Sequence, residues 1–285
     1  MVKSFTIVND DIYGANRSCV EASPEYMQIV YEIDEQIKFT ADFVNLLPGR
    51  VFIRVGNCII NLIGIFQSLG LTLCNLRHCC LHYCMADANT LLRKYRDDLF
   101  FCLYAAVYHE KELSGHDLES DQSMMERNLL DWVNGDLHDL HFGIVLKHIA
   151  GLSSVKEIVG RYGLKARFDA IGDELNDYVH GNGINFYNEC FWKGSDTAEP
   201  VKRVKGISEN LIKITVTFVL LVAICLPHYL MSTNYTDCLE TGQNPPDGSQ
   251  YFVAPFVEQY LKKHLSLIDP GCYRYLQENT TMKFN

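Results

Sequence analysis

Apolar residues recur at three- and four-residue steps through most of this chain, the period of an amphipathic helix, and the pattern is clearest from residue 24 onward. Ser23 is placed to cap, Pro24 suits a first helical position, and Met27, Val30, Tyr31, Ile33, Ile37 and Val44 carry the period to a stop at Pro48-Gly49. Residues 50–107 predict two or three helices, broken near Gly70 and between Ala86 and Asn89. The density of Val51, Phe52, Ile59, Ile60, Leu62, Ile63 and Ile65 puts them at the centre of the core. A polar stretch over 109–125, punctuated by Ser114-Gly115 and Ser120-Asp121, predicts a loop or boundary. Helical patterning returns over 126–132, 144–149 and 153–162, where Gly163 supplies a left-handed cap, and over 166–180, with Phe168, Ile171, Leu175 and Val179 on one face. A linker is expected over 193–200, an apolar helix from Ser208 to Pro227, a turn-rich loop over 241–248, and two last helices near 255–267 and 272–278. Only Phe5 to Val8 suggests a strand. The fold expected is all-α, a multi-helical bundle with at most a minor N-terminal strand. Its expected parts are an N-terminal helical region (1–125), a helix pair (126–192) and a C-terminal helical region (193–285), packed into one composite domain.

Composition narrows the classes open to such a bundle. With 285 residues and 48% hydrophobic content the chain buries a core and is not disordered. A net charge of -10 argues against a surface that grips nucleic acid everywhere, so any such contact is local. Eleven cysteines, an odd number set mostly in apolar runs, and a start without signal-peptide layout point to free thiols and a cytoplasmic location. The sequons at Asn16, Asn234 and Asn279 are then chance matches. Ile214 to Leu226 is the most apolar run, but its 13 residues fall short of the roughly 20 a spanning helix needs. It reads as a buried core helix, and the membrane is not an expected partner.

Candidate chemistry concentrates at Asn176-Asp177-Tyr178-Val179-His180-Gly181-Asn182-Gly183. Asn176 and His180 stand four apart and share a helix face, so Asn176 can orient a ring that gives and takes protons near neutral pH. The competing account makes His180 a helix-terminal cation with Gly181 as an ordinary cap. Arg93 and Arg96, with Asp97, offer a phosphate-contacting network or a plain surface ion-pair lattice. His78, Cys79, Cys80, His82 and Cys84 are metal-type side chains on opposed faces of a helix, which one tetrahedral zinc cannot easily collect. Asp136, His138, Asp139 and His141 follow no ligand spacing and read as a solvated loop, and Lys193, Lys202, Arg203 and Lys205 as a charged linker. Neither metal nor cofactor is expected.

The helix pair over 153–162 and 166–180, ending in Tyr178-Val179-His180-Gly181, resembles the C-terminal half of the HEPN superfamily over residues 90–190. Many members of that superfamily are metal-independent ribonucleases of antiviral defence or toxin systems, acting as dimers. Its motif sets an arginine four to six residues before a histidine, and here positions 173, 174 and 175 hold Asp173, Glu174 and Leu175. Only His180 carries over. The resemblance implies an RNA-directed effector, a homodimer or the partner of a defence-system protein. His180 and Asn176 would be at its centre, Arg96 the substitute phosphate clamp, and Arg93, Asp177, Asn182 and Arg167 its substrate contacts. Without the arginine the alternative is a non-catalytic helical module that binds a protein or nucleotide, and a third is a membrane-perturbing effector using the 214–226 run.

Overall fold

The computed structural model describes residues 10–47, 52–114, 119–136, 142–150, 153–179 and 198–284. In chain order these form α1 (Asp10–Glu21), α2 (Pro24–Leu46), β1 (Phe52–Val55), β2 (Cys58–Asn61), α3 (Leu62–Leu81), α4 (Met85–Ser114), α5 (Glu119–Asn134) and α6 (Phe142–Ile149). Then come α7 (Ser153–Arg161), α8 (Leu164–Val179), α9 (Ala198–Cys225), α10 (Asn234–Glu240), α11 (Pro255–Tyr260) and α12 (Pro270–Asn279). Helix α11 continues through a π turn (Leu261–Leu265) into one last turn (Ser266–Ile268). The protein is all-α, with one two-stranded antiparallel sheet. The strand expected at Phe5 to Val8 lies outside the described residues.

Helix ends follow local chemistry. Ser23 Oγ accepts a hydrogen bond from Tyr26 N at 3.3 Å, as its capping position predicts, with Pro24 in the first turn. Gly163 ends α7 at φ 59°, the left-handed conformation expected of it. Helix α3 ends on a pair of reciprocal bonds, Tyr83 N to Cys80 O at 3.1 Å and Cys84 N to Cys79 O at 2.8 Å. That cap places Tyr83 at φ 58°, where a glycine would carry no strain.

Four expectations are corrected. Residues 52–61 are not helical: they pair as a hairpin with register Phe52↔Asn61, Ile53↔Ile60, Arg54↔Ile59 and Val55↔Cys58, closed by Gly56 at φ 56°. Helix α3 runs through Gly70 without a break, because Leu62, Phe66, Leu69, Leu73, Leu76 and Cys80 keep a buried 4-3-4-3-4 seam that outweighs the roughly 1 kcal/mol a glycine costs. The polar stretch over 109–125 is helical to Ser114 and again from Glu119. Finally, Ser208 opens no helix and 198–200 is no linker: both lie inside the 28-residue α9. Ser208 is fully buried there, and its hydroxyl bonds Glu32 Oε2 at 2.9 Å.

The chain divides into two compact units, with the divisions falling inside α2, α3, α4, α8 and α9. The first comprises Met1–Ile37, Leu71–Tyr95 and Ile171–Leu211. Its core joins Tyr26, Ile33, Leu76, Met85, Leu92, Leu175, Val204 and Leu211, and buried Tyr26 donates its hydroxyl to Cys80 O at 2.6 Å. The second comprises Lys38–Gly70, Arg96–Ala170 and Ile212–Asn285. Its core is aromatic: Phe43 meets Phe66 and Phe218 edge-on at 5.4 and 5.7 Å, Phe39 stacks on Tyr260 at 3.8 Å, and Phe100 meets Phe168 at 4.7 Å. Residues 99–108 of α4 are buried all round. Among the described residues only α9 is long and apolar enough to cross a membrane, and 78% of its most apolar window is buried inside the protein.

Candidate functional site

A cavity of about 380 Å³ lies in the first unit, and three helices supply its lining. Helix α8 presents Glu174 and Tyr178, which stand four apart and share a face. Helix α9 presents Glu199, Lys202, Arg203, Gly206 and Ile207 from its first two and a half turns, and α4 contributes Asn89. Gly206 leaves the wall open, and buried Ile207 and Tyr178 give it apolar ground. The result is a polar recess with two carboxylates and two cations over a small apolar patch.

Hydrogen bonds hold these groups in place. Asn210, itself buried, donates to Glu174 Oε2 at 3.1 Å, so one carboxylate oxygen is fixed from behind. Arg203 meets Glu199 Oε1 at 2.9 Å one turn apart on α9. Asn89 is 5% exposed and donates one N–H of its amide to Met85 O at 3.0 Å, which leaves a second N–H and the amide oxygen. Lys202 is exposed at the rim.

Of the residues the sequence singled out, Asn176 and Asp177 lie half-buried on α8 and Arg93 half-buried on α4. None of the three is among the described residues lining the cavity. At 100° per residue Asn176 stands on the far side of α8 from Glu174, so the face that carries Asn176 is not the face that lines the recess. Arg96, in the second unit, is buried, with Nε and Nη2 at 2.8 and 2.7 Å from Asp97 Oδ1. Arg167, also in the second unit, pairs with Asp269 Oδ2 at 3.0 Å, and Asp269 in turn caps α12 by accepting from Cys272 N at 3.1 Å. His180, Asn182, His138, Asp139, His141 and Lys193 lie outside the described residues.

The remaining clusters carry less chemistry. His78 and His82 lie side by side, ring centroids 4.2 Å apart. Burial raises the Cys79 thiol to about 11 and that of Cys80 still higher, with neighbouring thiols adding to the effect. Among the described residues no group of three His, Cys, Asp or Glu side chains is placed to hold a metal ion. Sequence reasoning missed Glu174, Tyr178 and Asn89 and set Lys202 and Arg203 aside as linker charges. The signal was present in the helical spacing of Glu174 with Tyr178 and of Glu199 with Arg203, and it needed α9 to start ten residues before Ser208. No protein-family model, curated protein or solved structure matches this chain.

Proposed function

We propose that this protein is a helical module that binds a nucleotide, or a nucleotide unit of RNA, in the α8–α9 cavity without cleaving it. The observation that carries the reading is the placement of Lys202 and Arg203 in one recess with Glu174, Tyr178 and Asn89. Two cations provide phosphate contacts, Arg203 with the flat donor fork suited to an oxyanion, and the acceptors opposite suit the polar edge of a base. Binding is favoured over cleavage because positions 173, 174 and 175, where the HEPN motif sets its arginine, hold Asp173, Glu174 and Leu175, and Glu174 lines the recess. A local site of this kind is compatible with a net charge of -10, and a role in a cytoplasmic RNA-directed response remains the setting that the HEPN resemblance suggests.

Fluorescence anisotropy with a short labelled single-stranded RNA, run beside a gel of the same RNA, tests this. The wild-type chain is expected to bind and leave the RNA intact, and Lys202→Ala with Arg203→Ala is expected to weaken binding at least tenfold and flatten its salt dependence. RNA cut by the wild type and spared by His180→Ala would overturn the non-catalytic reading in favour of a ribonuclease. Equal binding by wild type and the double variant would remove the cavity from the function.

A further inference from the structure

We infer that Cys79 and Cys84 form a dithiol that a low-molecular-weight disulfide oxidises reversibly to an intrachain bridge across the end of α3. The backbone sets the pair up. Tyr83 N to Cys80 O and Cys84 N to Cys79 O are the two bonds of a Schellman cap, with Tyr83 at φ 58° as its left-handed residue. That motif commonly brings together the side chains of the two residues joined by its outer bond, and here both are cysteine. With standard bond lengths, the 2.8 Å contact between Cys84 N and Cys79 O limits their Cα–Cα separation to about 6.7 Å, inside the span a disulfide bridges without backbone movement. After burial, Cys84 is the largest influence raising the Cys79 thiol, which places the two sulfurs in one neighbourhood. Other cysteines of α3 are poorer partners. Cys80 is fully buried, whereas Cys79 and Cys84 are half-buried and open to a small reagent. Cys74 is exposed but lies five residues of unbroken helix before Cys79, a rise of about 7.5 Å that is beyond the reach of a disulfide.

The oxidant is a disulfide of the glutathione class. One protein thiolate attacks it, forms a mixed disulfide and releases one glutathione. The second protein thiolate attacks the protein sulfur of that mixed disulfide, forms the Cys79–Cys84 S–S bond and releases the other glutathione. Two protein thiols are oxidised, one glutathione disulfide is reduced, and the two protons end on the two glutathiones. Because burial raises Cys79 to about 11, the exchange is slow near neutral pH and quickens as pH rises.

Peptide mapping of the full chain provides the test. Cleavage after Arg77 and Arg93 places Cys79, Cys80 and Cys84 in a single peptide. The folded chain is treated with excess glutathione disulfide, quenched in acid, unfolded, alkylated and digested. The wild type is expected to yield that peptide with one alkyl group and a loss of about 2 Da, the two thiol hydrogens, and dithiothreitol added before the quench is expected to restore all three alkylation sites. Cys80→Ser is expected to show the same loss with no alkyl group. Cys79→Ser and Cys84→Ser are each expected to abolish the loss. A wild-type peptide that carries three alkyl groups, or glutathione adducts without a bridge, overturns the inference. So does a bridge of undiminished yield in Cys79→Ser or Cys84→Ser, which would make Cys80 the partner. Should a variant fail to fold by circular dichroism, fragmentation of the wild-type peptide locates the bridge and decides alone.

Discussion

Tyr26 shows how much one hydroxyl can hold. Its ring is fully buried and its hydroxyl reaches Cys80 O, the carbonyl that also accepts Tyr83 N in the strained cap of α3. Burial, assisted by Cys80, Tyr83 and Cys84, raises the Tyr26 hydroxyl far above its ordinary 10.0, so it stays a donor throughout the accessible pH range. Tyr26→Phe keeps the ring and removes the bond. Urea denaturation is expected to register a loss of about 1–2 kcal/mol, the usual cost of leaving a buried acceptor short of a partner. A change below about 0.3 kcal/mol would show that the backbone bonds hold the cap alone. At this scale the sequence was legible where a residue's role is local, as with Ser23 and Gly163. It misplaced Ser208 as a helix start, because the part-buried bond that fixes its role, to Glu32, joins residues 176 positions apart.

Among the elements, the hairpin is the instructive miss. Phe-Ile-Arg-Val and Cys-Ile-Ile-Asn flank Gly56-Asn57, a two-residue turn with glycine at its first central position, and Ile53, Val55 and Ile60 alternate inward while Phe52, Arg54 and Ile59 alternate outward. Apolar density hid that period of two, since Phe52 and Ile59 put large apolar side chains at outward positions as well. Helix α9 was missed in the opposite way: its apolar half was recognised, and its polar half, which lines the candidate site, was taken for a separate linker. The aromatic contacts of Phe218 in α9 with Phe43 and Phe66 give this element a measurable weight. Phe218→Ala is expected to cost roughly 3–5 kcal/mol in chemical denaturation, because it removes a ring that is 3% exposed and leaves a void between two others. A cost under about 1 kcal/mol would mean the neighbours collapse into the space.

The whole molecule was legible in class and not in organisation. Period and composition gave an all-α chain, whereas units assembled from three separated stretches apiece leave no mark in linear order, since each boundary falls mid-helix. The candidate site shares that difficulty, because its lining comes from α4, α8 and α9. Free thiols distributed through both units set a common pH response. Burial raises Cys79 from 9.0 to about 11, and Cys225 and Cys272 from 9.0 to about 12. Between those limits the native state retains protons that the unfolded chain has released. Stability is therefore full below about pH 9 and falls as pH rises through the window. Melting temperature, measured in reductant, is expected to hold level up to about pH 9 and decline above it; a flat profile to about pH 11 would contradict the shifts.

The π turn at Leu261–Leu265 accommodates one residue more than a regular α-helix would place there. Removing a single residue within it restores the ordinary spacing instead of rotating everything downstream, so a one-residue shortening should be tolerated there and ruinous two turns away. That makes this turn a natural place for length variation to have entered the chain.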